Sequence, residues 1–256
     1  MEETISVLNN KKQKLAASIH RPDKEGKFPA VILLPGFRGT KEEGHIKQLA
    51  MELAQNNIVA IRFDPSGFGD SDGNTEKDYR LSNYFSDTES VCDYLKKLPN
   101  VDSNHIGLYG HSMGAMLVVL FAAKHPEIQA SVSVSPPHIM KTKNRLENVW
   151  HGWEKNGYLE KVRDGKTVRI PWEFLADAEV YNPLEEVTKI KTPILFIFGT
   201  NDANVLPEET KALYEKANEP KQLFIVDGMD HFYKNFPDKL TLVNNEIISF
   251  YKKYLQ

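Results

Sequence analysis

The chain has 256 residues, 41% hydrophobic and 26% charged, a globular composition that excludes disorder and fibre. At about 150 residues per domain, that length admits one large domain with an insertion or two domains. A net charge of -3 gives no electrostatic footprint for nucleic acid or an anionic membrane, and the single cysteine, Cys92, excludes an internal disulfide and fits a reducing, cytoplasmic setting.

Met1 to Lys14 is polar, so no signal peptide is expected. Residues Thr4 to Ile19 read as two strands, an antiparallel hairpin at a sheet edge. Ala30 to Leu34 is a short apolar run that stops at Pro35-Gly36, the mark of a buried strand meeting a sharp turn. Ile46, Leu49, Ala50, Leu53 and Ala54 fall on one face of a helix. Ile58 to Ile61 is a second buried strand, followed by a glycine-rich loop from Pro65 to Gly73. Tyr84, Thr88, Val91, Cys92, Leu95 and Leu98 make the next amphipathic helix, with Cys92 on its core-facing side.

Ile106 to Tyr109 is the third buried strand, and Gly114 to Lys124 is a helix apolar on every side. Its longest apolar run, Ala115 to Ala123, falls short of the roughly 20 residues a membrane span needs. Ile128 to Val134, Ile194 to Phe198 and Gln222 to Val226 are further strands. Pro207 to Ala217 and the stretch Leu240 to Tyr251 are helices. Continuously apolar strands alternating with helices predict an α/β fold: a mostly parallel sheet covered on both faces.

Residues 136–182 interrupt that rhythm. They carry all three tryptophans, Trp150, Trp153 and Trp172, and a hairpin signal at Asp164-Gly165. The expected organisation is a core of residues 1–135 and 183–256 with an inserted cap at 136–182. Single rings in such a segment more often pack it onto the core than touch substrate. As a whole, the segment is expected to shape an apolar acyl or aryl pocket, with Trp150, Trp172 and His138 as candidate substrate contacts.

Gly110-His111-Ser112-Met113-Gly114 follows a strand and opens a helix. That context makes G-x-S-x-G a nucleophile elbow, with Ser112 at the positive end of a helix dipole. Serine needs a base oriented by a third group. The order serine, acid, histidine along the chain, each at a strand end, selects Asp202 and His231. Asp227 and Asp230 are alternative acids, and His45, at the start of the first helix, is a candidate substrate contact. A developing oxyanion needs donors: the amide of Met113, and that of Phe37 in the turn after the first long strand.

These residues resemble those of α/β-hydrolase-fold serine hydrolases, from about Phe28 to the C-terminus. The resemblance implies Ser112, Asp202 and His231 as nucleophile, acid and base, and Phe37 and Met113 as oxyanion amides. The stretch Gly36 to Glu43 with His45, the loop Gly67 to Gly73 and the inserted segment are similar to bacterial cinnamoyl and feruloyl esterases. The chain departs from that closer pattern at Pro35, where relatives often have histidine, and at Met113, where those esterases have glutamine.

The loop Gly67 to Gly73 lacks phosphate-loop spacing and lacks the glycine and glutamate of a calcium loop, so a shaping turn is expected. No cofactor, metal, nucleic acid or membrane span is expected, and nothing indicates a homo-oligomer. The expected activity is hydrolysis of a small-molecule carboxylic ester. A thioesterase, monoacyl lipase, acyltransferase or peptidase would use the same residues. A non-catalytic ligand-binding protein of the same fold is the reading from another class.

Overall fold

The computed structural model describes residues 1–140, 147–163 and 166–255. In chain order the main body opens with β1 (Glu2–Leu8), β2 (Lys14–His20), β3 (Phe28–Leu34), α1 (Gly44–Gln55) and β4 (Val59–Phe63). Next come α2 (Thr75–Asp78), α3 (Leu81–Lys96), β5 (Val101–His111), α4 (Met113–Lys124) and β6 (Ile128–Val134). The interrupting segment holds α5 (Glu147–Asn156), β7 (Tyr158–Arg163), β8 (Lys166–Pro171) and α6 (Glu173–Ala178). The chain closes with α7 (Pro183–Glu186), β9 (Ile194–Gly199), α8 (Pro207–Lys216), β10 (Lys221–Val226) and α9 (Pro237–Tyr254).

Eight strands form one sheet in the order β1-β2-β4-β3-β5-β6-β9-β10. The β1–β2 hairpin lies antiparallel at one edge and pairs antiparallel with β4, while the strands from β4 to β10 are parallel. The fold is the α/β class expected from the sequence. Alternation along β3 explains its continuous apolarity. Ala30, Ile32 and Leu34 enter the core on one face, and Val31 and Leu33 enter the core on the other. Helices α3 and α4 cover the first face, and α1 and α9 cover the second. Helix α4 is buried from Met113 through Ala122, as an all-round apolar helix requires. Cys92 packs into the same core.

The segment between β6 and α7 contains two helices, α5 and α6, that the sequence pattern did not announce. Its hairpin pairs β7 with β8; the Asp164-Gly165 turn lies outside the described residues. Trp150, Trp153, Phe174 and Leu175 join the hydrophobic cluster of the main body.

The chain leaves β4 on one side of β3 and returns through β5 on the other. Open α/β sheets bind ligands at the carboxyl ends of strands near such a reversal. The loop after β3 and the turn after β5 are neighbours there, and the loops after β9 and β10 follow along the same edge.

Candidate active site

The turn after β5 is tight for a definable reason. A Cβ on Gly110 would sit 2.2 Å from the Gly114 carbonyl oxygen, and one on Gly114 would sit 2.1 Å from the Leu34 carbonyl oxygen. Only glycine allows this crossing of strand, helix and the end of β3. Between them Ser112 adopts φ 57°, ψ -122°, a conformation side chains rarely take. Its amide is pinned to the Val134 carbonyl at 2.9 Å, so the hydroxyl projects from the apex at the start of α4.

Three side chains from three strand ends meet there. The Ser112 hydroxyl stands 3.0 Å from Nε2 of His231, and Nδ1 of that ring stands 2.8 Å from Oδ2 of Asp202. The other carboxylate oxygen of Asp202 accepts the amides of Asn204 and Val205, each at 2.9 Å. Burial pushes the Asp202 carboxyl up, but the hydrogen bond and charge of His231 and the Val205 amide outweigh it and hold the group below its usual range. Asp230 and Asp227 are occupied elsewhere: Asp230 accepts the Phe232 amide at 2.7 Å, and Asp227 accepts the Thr200 hydroxyl at 3.1 Å.

The loop after β3 runs directly under the serine. A Cβ on Gly36 would lie 3.2 Å from the His111 carbonyl oxygen and 3.3 Å from the Ser112 Cβ. Among the described residues the amides of Phe37 and Met113 donate to no backbone carbonyl outside the regular elements. This loop is braced from outside. The Arg38 amide donates to the Tyr79 hydroxyl at 3.0 Å, and the Lys41 amide donates to Asp64 at 2.7 Å. Asp64 also accepts the Asp70 amide at 2.9 Å. The loop Gly67 to Gly73 therefore supports the turn beside the serine. Gly69 lies so close to Asp64 that a Cβ would sit 2.1 Å from its carboxylate.

A cavity of about 280 Å³ opens over Ser112 and His231, lined by Phe37, Arg38, Pro137, Ile139, Met140, Trp150, Asn204, Val205 and Phe232. Of the expected substrate contacts, only Trp150 is on this wall. His45 is 2% exposed and sits behind the site, its ring edge-on to His111 at 5.2 Å and to Tyr233 at 5.5 Å. The helix that carries it turns its apolar face inward, and burial lowers its pKa to about 4. His138 faces Glu209 of α8 at 3.4 Å rather than the cavity. Trp172 stands edge-on to Trp153, ring centres 5.9 Å apart, and is a packing residue of the segment.

Four contributors had not been singled out. Tyr79 braces the turn, and Arg38 lines the cavity. The His111 ring lies 4.8 Å from that of His231. Burial, then the charges of His231 and His45, push the His111 pKa far down, so it is a neutral neighbour. Glu209 is buried behind Asp202, and burial together with that carboxylate pushes its pKa up to about 7. The only sequence signals were the closeness of Arg38 to Phe37 and of His111 to Ser112.

Residues 27–158, just over half the chain, match the hydrolase family described as serine aminopeptidase, S33. The chain is 24% identical over 263 residues to the polyketide transferase grgF of Penicillium sp, covering 89% of this chain and 88% of that one. It is 27% identical over 203 residues to the human mitochondrial palmitoyl-protein thioesterase ABHD10, covering 73% of this chain and 60% of that one. Among solved structures, Est1E of Butyrivibrio proteoclasticus with ferulic acid bound matches at a TM-score of 0.80 and 26% identity, with 98% of each chain covered. The chain therefore belongs to the serine aminopeptidase S33 family of hydrolases and has the α/β-hydrolase fold.

Proposed function

We propose that the chain is a serine hydrolase that cleaves small-molecule carboxylic esters through an acyl-serine. The observation that carries this reading is the continuous chain from the Ser112 hydroxyl through His231 to Asp202, with contacts of 3.0 and 2.8 Å. The Ser112 oxygen attacks the carbonyl carbon as His231 Nε2 takes its proton. Asp202 holds the ring and stabilises the cation that forms. The amides of Phe37 and Met113 receive the oxyanion. Collapse expels the alcohol, which takes the proton from His231. Water then attacks the acyl-serine, gives a proton to His231, and the acid leaves as that proton returns to Ser112.

Segment 136–182 acts as a cap on the core of 1–135 and 183–256. Pro137, Ile139, Met140 and Trp150 bring its apolar surface to the cavity, which suits an acyl or aryl group. The relatives named as thioesterase and polyketide transferase favour a second reading with the same acyl-serine: a thioester as donor, or an acceptor other than water. The family description leaves peptides as a third substrate class for the test.

Two measurements test the proposal. A fluorophosphonate is expected to add to Ser112, read by mass spectrometry, and Ser112→Ala is expected to abolish both adduct and turnover. A panel of hydroxycinnamate esters, short and long acyl esters, thioesters and peptides then ranks the substrate classes. An unlabelled Ser112 in folded protein sinks the serine mechanism.

A further inference from the structure

The base and the oxyanion turn come from distant parts of the chain, yet the ester reaction needs both at one carbonyl. His231 follows β10, and its loop is tied to the acid's loop by the Asn201 amide, which donates to the Met229 carbonyl at 3.0 Å. Phe37 lies in the turn after β3, which the Gly39 amide closes on the Gly36 carbonyl at 2.9 Å. Buried rings lie between these loops: His111 and His45, with Tyr233 edge-on to them at 5.4 and 5.5 Å. Apolar packing is non-directional, so it sets the spacing of the two loops but not their register.

An ion pair joins the two sides. Nζ of Lys234 donates to Oε1 of Glu43 at 2.6 Å, although 191 residues separate them. Lys234 sits in the short 3-10 turn Tyr233–Asn235, just past the base. Tyr233 is anchored inward, its hydroxyl 2.7 Å from that of Tyr109. Successive side chains in such a turn point about 120° apart, which directs Lys234 out of the core. Glu43 precedes α1, and its amide donates to the Thr40 carbonyl at 3.0 Å. Its other carboxylate oxygen is seated on the oxyanion turn: a Cβ on Gly39 would lie 2.5 Å from Oε2. Both charges reach the His45 ring, where Glu43 raises the pKa and Lys234 lowers it.

We propose that Lys234 and Glu43 are positioning residues: their ion pair clamps the loop of His231 to the oxyanion turn and sets where the imidazole stands relative to the reacting carbonyl. The inference rests on the serine-ester reading and deepens it. A partly exposed ion pair adds little to stability. What a short, charge-assisted contact adds is geometry. In the acylation step His231 Nε2 must first take the Ser112 proton and then hand it to the departing alcohol. Misplacement by about 1 Å can cost on the order of a hundredfold in rate, so a slip of a few tenths of an ångström costs several-fold. The second transfer suffers most where the alcohol cannot leave without a proton.

The test compares two esters of one acid, methyl butanoate and 4-nitrophenyl butanoate. Methanol needs a proton from His231 to leave, whereas nitrophenolate leaves as the anion. The readout is kcat/KM in the wild type, Lys234→Met, Glu43→Gln and the double variant. Each single variant is expected to lose about fivefold on the methyl ester and clearly less on the nitrophenyl ester. The double variant is expected to be no slower than either single one, because the clamp is already open. Three outcomes overturn the inference. The first is wild-type kcat/KM on the methyl ester in Lys234→Met. The second is an equal loss on both esters, the mark of a merely structural role. The third is a double variant whose loss is the product of the single losses, so that the two residues act separately. Fluorophosphonate labelling keeps this failure apart from failure of the serine mechanism. Ser112 is labelled in every variant when only the clamp is wrong, and in none, wild type included, when the mechanism is wrong.

Discussion

The main-chain N–H of Arg38 donates to the phenolic oxygen of Tyr79 across 3.0 Å, although 41 residues separate them. The bond fixes the peptide next to the Phe37 amide, and so the direction in which that amide points. Tyr79 is itself immobilised. Its ring stacks on Phe68 at 4.5 Å, on Phe174 at 5.1 Å and on Phe37 at 6.2 Å. Burial pushes its phenol far up the scale, so the oxygen stays protonated and accepts with a lone pair.

Tyr79→Phe keeps the ring and deletes the acceptor. The expected stability loss is about 1 kcal/mol, the net value of one such hydrogen bond. If the Phe37 amide receives the oxyanion as proposed, the expected kinetic signature is a fall in kcat of up to about tenfold with little change in KM, because a misaimed donor of that kind matters most in the transition state. Steady-state kinetics on a neutral ester, beside a urea titration, separate the two effects. An unchanged kcat would mean that the turn holds its shape unaided.

The Arg38–Tyr79 pair also marks where the sequence stops being informative. Ser112, Asp202 and His231 were legible because each sits just after a strand, and strand ends can be read from local apolar runs. The parallel sheet was legible for the same reason. A bond between a turn and a helix-flanking tyrosine has no local signature. His45 shows the opposite error: proximity to the site was correct, but the burial of its helix face turned the ring into the core. In α5, Trp150 and Trp153 stand one helical turn apart, yet Gly152 between them weakens the pattern. The segment could be recognised as aromatic without its helices being placed.

Gly114→Ala tests the elbow packing. The added methyl would lie 2.1 Å from the Leu34 carbonyl oxygen and 2.7 Å from that of Pro35, both main-chain atoms. Neither can turn aside as a side chain would, so α4 must lift from β3. A loss of about 3 kcal/mol or more is expected, together with loss of activity, because Ser112 opens that helix. A denaturant midpoint equal to that of the wild type would contradict the close crossing of α4 and β3.

His45→Phe carries a pH signature. Burial lowers the folded pKa of His45 from 6.5 to about 4. Below pH 6.5 the unfolded chain takes up a proton that the folded chain refuses until about pH 4. This group therefore costs the wild type stability as pH falls through that window. Both ring nitrogens are buried and lack hydrogen-bond partners among the described residues, so phenylalanine removes no bond. Between pH 7 and pH 5 the variant is expected to gain about 2 kcal/mol relative to the wild type. Urea titrations of both proteins at the two pH values measure this, and a pH-independent difference rules out His45 as a buried neutral imidazole.

Glu209→Gln is expected to show the opposite dependence. Burial, with the nearby Asp202 charge adding to it, raises the folded pKa of Glu209 from 4.5 to about 7. Between those values the folded chain holds a proton that the unfolded chain has released. The wild type therefore loses stability as pH rises through the window, and the loss is complete above about pH 7. Glutamine is neutral throughout and keeps an acceptor for the Leu206 amide, which Glu209 receives at 3.2 Å. The variant is expected to match the wild type near pH 4 and to be the more stable protein at pH 8, by on the order of 3 kcal/mol. Thermal midpoints across pH 4 to 8 read the divergence directly. If the two curves run parallel, the Glu209 carboxylate is solvated when charged, and its place behind Asp202 puts no strain on the site.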